Sequence, residues 1–169
     1  MKGLNAKKIA GTALLAAFAL IAFLIESLLP PLFLPGAKIG LANFFVFLAL
    51  ILYGGGSAAG VAAAKCLLGA VFGGNISSLM YSLPATFVSF AAEYALFKLC
   101  FPRVSVPAIG VVSAVLHNLV QNLVFCLVTN TPEALVYLPY LALIGAVSGA
   151  AVGFAVYLAA KALPDRFYG

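Results

Sequence analysis

Six apolar stretches follow one another along the chain, separated by short segments rich in proline, glycine or polar residues. Apolar residues fill each stretch without the strict alternation of a strand, which argues against a membrane β-barrel. About 20 apolar residues span a bilayer as an α-helix, so the pattern predicts six transmembrane helices. We expect these helices at about residues 8–28, 39–53, 58–72, 76–100, 107–129 and 134–160.

Composition leads to the same class of protein. Of the 169 residues, 65% are hydrophobic and 8% are charged, and the mean hydropathy is +1.19. A soluble domain needs more polar surface than this. Six spans with short loops use the whole chain, so we expect residues 1–169 to form one all-α transmembrane domain.

The basic residues are distributed as membrane topology requires, although a net charge of +5 might suggest a nucleic-acid partner. With six spans, Lys38 would lie alone on one side of the membrane. The other side would hold Lys2, Lys7, Lys8, Lys98, Arg103, Lys161 and Arg166. Because basic residues accumulate on the cytoplasmic side, we expect both termini in the cytoplasm and the protein in the cytoplasmic membrane, without a nucleic-acid partner.

Four polar side chains interrupt the fifth apolar stretch: His117, Asn118, Gln121 and Asn122. At 100° per residue they fall within an arc of roughly 140° on one helix face. Imidazole and amide groups are costly against lipid, so this face must meet other helices, water or a ligand. We treat it as one wall of a predicted binding cavity.

Lys65 lies in the middle of the third predicted span. An intramembrane lysine marks a functional site by default, since placing its charge there costs at least about 2.5 kcal/mol. A lysine that snorkels, or that pairs structurally with Glu26 or Glu93, explains the residue equally well. Both interpretations stay open at the level of sequence.

Other helices bring polar groups to the height of this lysine in the predicted outer half of the membrane. They are Glu26, Lys38, Asn43, Asn75, Ser78, Tyr81 and Ser82. Together they predict a cavity that opens to the outside and is floored near the midplane, as in a binding protein rather than an open channel. The proline-rich segment 30–38 is expected to act as its lid, and residues 54–57 are expected to form a tight turn.

Two stripes of small residues would let helices approach closely. On the first span the stripe is Ala6, Ala10, Ala13 and Ala17, and on the last it is Gly145, Gly149 and Gly153. The alanines serve either packing inside the bundle or docking of a partner membrane protein. Packing is the favoured role of the glycines, while oligomerisation through them stays open.

The sequence offers little for catalysis or metal binding. Cys66, Cys100 and Cys126 lack metal-ligand spacing and are expected to be inert core residues. Prenyl-diphosphate chain elongation needs aspartate-rich clusters that hold Mg²⁺, whereas Asp165 is the sole aspartate of the chain. We therefore expect no enzyme, no metal and no cofactor.

Motifs along nearly the whole chain resemble, in order, the Gx transporter family, which is also labelled heptaprenyl diphosphate synthase component I. They are residues 35–43, Leu68-Gly69 with Ser77-Ser78 and Tyr81-Ser82, His117-Asn118 with Gln121, and Tyr137-Leu138-Pro139. The resemblance implies a six-helix bundle like the substrate-binding S-components of energy-coupling factor (ECF) transporters. Such proteins bind vitamins or other small molecules and dock onto a transmembrane coupling subunit with two ATPases, through small residues that here would be the alanine stripe.

Residues and resemblance together predict a transport protein that captures a small molecule from outside, anionic and flavin-, vitamin- or isoprenoid-like. The predicted binding residues are Lys38, Asn43, Lys65, Ser78, Tyr81, His117, Asn118 and Gln121. The expected partners are this ligand, membrane lipid, the coupling subunit and the ATPases. The alternatives are a non-catalytic membrane subunit of an isoprenoid, prenyl diphosphate or quinone pathway, and a membrane scaffold of a flavin or quinone redox system.

Overall fold

The computed structural model describes residues 6–28, 40–74 and 76–162. Its six α-helices are α1 (Ala6–Leu28), α2 (Leu41–Tyr53), α3 (Gly55–Phe72), α4 (Leu79–Cys100), α5 (Val106–Thr129) and α6 (Leu138–Lys161). Short 3₁₀ turns at Ile76–Ser78 and Pro132–Tyr137 precede α4 and α6. The described residues contain no strand, which confirms the all-α prediction.

Among the described residues, five helical regions are long and apolar enough to cross a membrane. The exception is α2, whose 13 residues measure about 20 Å at 1.5 Å per residue, against a hydrocarbon core of about 30 Å. Residues 46–50 of this helix are all buried. The second predicted span is therefore shorter than a full crossing and is enclosed by its neighbours.

The junction of α2 and α3 differs from the turn predicted at residues 54–57. Gly54 alone breaks the helix, with φ 85° and ψ 175°, and its N–H donates to the Leu50 carbonyl at 3.0 Å. A residue without Cβ adopts this positive φ readily, so one residue is enough and Gly55 already belongs to α3. Gly55 also lies against Tyr94, because a Cβ there would come within 2.6 Å of the ring.

Consecutive helices run in opposite directions, as their contacts show. Phe18 in the middle of α1 stacks on Phe45 near the start of α2, with ring centroids 5.7 Å apart. Gly11 near the start of α1 lies against Tyr53 at the end of α2. A Cβ at Gly69 of α3 would meet Phe23 of α1 at 2.7 Å. Helices α1–α3 pack mainly with one another, and so do α4–α6, while α2 with α6 and α3 with α4 join the two halves.

The glycine stripe of α6 packs against α5. A Cβ added at Gly149 would lie 2.5 Å from the Gly110 carbonyl oxygen, and one at Gly153 would lie 2.7 Å from Cα of Pro107. Gly145, too, is buried in this interface. The packing role is confirmed, and the stripe is covered within the chain, so it offers no face for oligomerisation.

The apolar core fills one end of the bundle. Ala49 near the end of α2, Val61 near the start of α3, Ile109 near the start of α5 and Val156 near the end of α6 are each at most 1% exposed. Because the helices alternate in direction, these positions lie at the same end. The polar residues of the same helices are thereby left at the other end.

Candidate functional site

A cavity lies between the helices at the end of the bundle opposite the core. It contains about 490 Å³ of space not occupied by atoms, its open mouth included. Each of the six helices contributes to its lining. One lining residue from each helix, in order from α1 to α6, is Glu26, Asn43, Lys65, Thr86, His117 and Ser148. The cavity therefore lies on the seam between the two three-helix halves.

Five of the eight predicted binding residues line this cavity: Asn43, Lys65, His117, Asn118 and Gln121. The polar face of α5 thus meets the intramembrane lysine of α3 across a common space. Lys65 is 3% exposed, so its aliphatic stem is enclosed and it does not snorkel to the surface.

Ser78 and Tyr81 are not among the described residues that line the cavity. Ser78 belongs to the 3₁₀ turn before α4. Tyr81, in the first turn of α4, packs edge-to-face on Phe125 with ring centroids 5.6 Å apart. Lys38 lies outside the described residues, as do Asn75 and the proposed lid at 30–38.

Lys65 is held by an amide. Its Nζ donates to Oδ1 of Asn43 at 2.7 Å, and the two carboxyl groups of Glu26 and Glu93 attract it electrostatically. An amide accepts this hydrogen bond without contributing a counter-charge. Lys65 is therefore placed to offer a positive charge or a hydrogen-bond donor to a ligand.

Glu26 fixes the rim of the cavity. It is 7% exposed, and its Oε1 accepts from the backbone N–H of Gly40 at 2.5 Å. Gly40 has φ 82°, and its carbonyl accepts from the Asn43 N–H at 2.9 Å. A series of hydrogen bonds thus runs from the end of α1 through the start of α2 to Lys65.

The polar face of α5 divides between structural and cavity-lining roles. Asn118 Nδ2 donates to the Leu141 carbonyl of α6 at 3.1 Å. The Cys126 thiol donates to the side chain of Asn122, which is buried but does not line the cavity. Nδ1 of His117 lies 3.3 Å from Oγ of Ser89 on α4.

Sequence reasoning grouped Ser82 with the polar residues of the predicted cavity but did not single out Thr86. Ser82 and Thr86 of α4 line the cavity, and the Cys66 thiol donates to Thr86 Oγ1 at 3.1 Å. Cys66 is buried, as expected, yet it also faces the cavity. Thr86 lies one helical turn after Ser82, and this spacing was the pattern that could have identified it.

The cavity is suited to binding. Among the described lining residues, the acidic and basic side chains are Glu26, Lys65 and His117, on three different helices. Among residues 6–28, 40–74 and 76–162, no group of three or more histidine, cysteine or acidic side chains could hold a metal ion. What the lining offers a small molecule is hydrogen-bond donors and acceptors beside apolar walls.

The alanine stripe of α1 faces away from the bundle. Ala6, Ala10, Ala13 and Ala17 are all exposed, whereas Ala19 of the same helix is completely buried. Within the part of the chain that the structure describes, these four alanines are therefore not covered by other helices.

The family model described as heptaprenyl diphosphate synthase component I matches residues 15–158, which include every described residue of the cavity. Neither a curated protein nor a solved structure matches the chain. Because the matched region covers most of the 169 residues, the chain belongs to the heptaprenyl diphosphate synthase component I family.

Proposed function

We propose that the protein is the substrate-binding membrane subunit of a transport system and that it captures a small molecule from the outer side. The observation that supports this most is the convergence of Lys65, His117 and the amides of α5 on one cavity that reaches all six helices. Buried polar groups from separate helices that share a space are typical of ligand sites.

The floor of the cavity favours capture over open conduction. Below it, Phe47, Val61 and Ile109 close the bundle with exposures of 1% or less. A channel needs a continuous polar path, whereas a site open at one end retains its ligand until the protein rearranges.

The lining indicates the chemistry of the ligand. Lys65 and His117 would meet an anionic or carbonyl group, while Asn118 and Gln121 would orient it through hydrogen bonds. Phe23, Ala42 and Ala114 supply apolar wall. A vitamin-like or isoprenoid-like molecule with one polar head fits this combination.

We propose that the exposed alanine stripe of α1 docks onto a transmembrane coupling subunit that works with two ATPases. Small side chains let two helices approach closely in lipid, and all four alanines are exposed. Ala13→Leu would then reduce recovery of the coupling subunit in a pull-down, whereas Ala155→Leu, at an exposed alanine of α6, would not. Equal recovery with both variants would contradict docking through this stripe.

The family description supports a second function, that of a non-catalytic membrane component beside a prenyl diphosphate synthase. In that role Lys65 and His117 would hold the diphosphate of an isoprenoid. A pull-down from native membranes distinguishes the two functions. Recovery of ATPases with a coupling subunit supports transport, and recovery of a soluble prenyltransferase supports the second function.

Native mass spectrometry of gently purified protein tests binding itself. We expect a small molecule to remain with the wild type and with Lys98→Met, because Lys98 is an exposed lysine beside Tyr94. Lys65→Met and His117→Ala should lose it while remaining folded. Wild-type occupancy in both cavity variants would overturn the proposal.

A further inference from the structure

Glu93 is a carboxyl group enclosed in the middle of a membrane helix. It is 4% exposed, and its Oε1 has no hydrogen-bond partner among the residues that the structure describes. An unpaired carboxylate oxygen inside a membrane protein raises the free energy of the folded state unless a proton or a positive charge neutralises it. An unsatisfied polar atom of this kind therefore calls for a binding partner.

Three side chains around Glu93 form with it what we call the Glu93 cluster: Ser89, Glu93, Ser113 and His117. Ser89 and Glu93 lie one turn apart on α4, and Ser113 and His117 lie one turn apart on α5. Because the helices are antiparallel, Ser89 meets His117 at 3.3 Å. Ser113 donates to the Ser89 carbonyl at 3.4 Å and also lies within hydrogen-bonding reach of the Glu93 carboxyl.

The hydrogen bonds of the cluster define the tautomer of the histidine. Ser89 has one hydroxyl proton and donates it to the Thr86 carbonyl at 3.0 Å. The contact between Ser89 Oγ and His117 Nδ1 is then a hydrogen bond only if the imidazole donates from Nδ1. His117 thus directs a proton away from the cavity and toward α4.

A small pocket beside Glu93 shares two lining residues with the cavity. A pocket with about 200 Å³ of unoccupied space is lined by Glu93, Ser89 and Ser113, together with Asn43 and Thr86. The last two residues also line the main cavity. Polar side chains therefore line both the cavity and the pocket at Glu93, and a water molecule in this pocket would have several polar partners.

Few ionisable groups face the carboxyl. From α3, Lys65 attracts it electrostatically while donating to Asn43. Glu26 of α1 also acts on Lys65, and α5 contributes His117. Glu93 lines this pocket and a second one beside it. Helices α2 and α6 line the two pockets with Asn43, Val46, Phe47, Gly149 and Val152, none of which is ionisable.

We propose that the Glu93 carboxyl is a proton-binding site that exchanges its proton with the cavity through Ser89 and His117. In the inward step the N–H bond at Nδ1 breaks, and Ser89 Oγ receives that proton. Ser89 releases its own hydroxyl proton through a water molecule to Glu93, which gains an O–H bond. His117 takes a proton at Nε2 from a hydronium ion in the cavity, which becomes water, and is left protonated at Nε2 alone. One proton moves, no electrons are exchanged, and the outward step reverses each transfer.

A proton on Glu93 removes the negative charge that faces Lys65. The electrostatic balance of the cavity therefore changes with the occupancy of this site. The site needs no ligand in the cavity, so its test is independent of the transport function.

Infrared difference spectroscopy of the purified full chain, titrated from low to high pH, tests the site. We expect the carbonyl band of a protonated, buried carboxyl in the wild type, disappearing as pH rises. Glu93→Gln should lack the band, Glu93→Asp should shift it, and Glu133→Gln, at an exposed position, should keep it. A band that persists in Glu93→Gln, or that responds to Na⁺ at constant pH instead of to protons, overturns the proposal.

Exchange into deuterated water tests the route. Ser89→Ala removes one relay hydrogen bond, so exchange of the Glu93 band should slow about tenfold, while Ser27→Ala on α1 should leave the rate unchanged. Exchange at the wild-type rate in Ser89→Ala would exclude the path through this serine.

Discussion

Nζ of Lys65 and Oδ1 of Asn43 are joined by a hydrogen bond of 2.7 Å between α3 and α2, across 22 positions of sequence. The bond fastens the short helix α2 to its neighbour at the level of the cavity. The bond also gives the buried amino group of this intramembrane lysine a hydrogen-bond acceptor, although that partner carries no charge. The first prediction concerns this pair.

Asn43→Leu leaves the amino group of Lys65 without its amide partner, which should lower the free energy of unfolding by about 1–3 kcal/mol. Lys65→Met removes the other member of the pair. The double variant should lose clearly less than the sum of the two single losses, because no polar group is then stranded. Denaturant unfolding in detergent measures the cycle, and simple additivity would show that the two side chains are not coupled.

Gln121 and Asn122 are neighbours on α5 with different surroundings, since Gln121 lines the cavity and Asn122 does not. Gln121→Ala should weaken binding of the co-purifying small molecule about tenfold, the effect of one lost hydrogen bond. Asn122→Ala should leave binding close to wild type. Native mass spectrometry across a ligand titration compares them, and equal effects would place the ligand elsewhere.

Gly149 allows α5 and α6 their close approach. Gly149→Val would bring its Cβ within 2.5 Å of the Gly110 carbonyl and should destabilise the protein by about 1–3 kcal/mol through overpacking. Gly60 of α3 is exposed, and a Cβ there would meet nothing within 4 Å. Gly60→Val provides the matched control in thermal unfolding, and a loss of similar size in both would contradict the interface.

Both termini are predicted to lie in the cytoplasm. In a variant lacking Cys66, Cys100 and Cys126, Lys7→Cys should resist an impermeant thiol reagent applied to intact cells. Glu133→Cys, in the exposed turn before α6, should react from outside. The opposite pattern of labelling would invert the topology and put the mouth of the cavity on the cytoplasmic side.

Much of the helical architecture could be predicted from sequence because long apolar runs in a membrane protein leave the backbone few alternatives. The length of α2 could not. Its first turn depends on Gly40, whose N–H is held by Glu26 of α1, and such a long-range contact leaves no local pattern. Likewise, Gly54 alone forms the break between α2 and α3, where the sequence predicted a turn of four residues.

The wall of the site that α5 contributes could be predicted from the sequence, because polar residues inside an apolar span have few possible roles. The wall that α4 contributes was harder to predict. The structure places Ser82 and Thr86 at the cavity and leaves Ser78 and Tyr81 nearer the entry of the helix. The height of α4 relative to α5 depends on the 3₁₀ turn at Ile76–Ser78, whose geometry sequence spacing does not define.

The division of the bundle into α1–α3 and α4–α6 has a consequence for motion. Glu26, Gly40, Asn43 and Lys65 are bonded together within the first half, and the Glu93 cluster lies within the second. A hinge that swung one half from the other would carry each polar assembly along intact. Opening would break the hydrogen bond between Cys66 and Thr86 and weaken the attraction between Lys65 and Glu93, which both cross the two halves. The hydrogen bonds within each half would stay in place for the next closure.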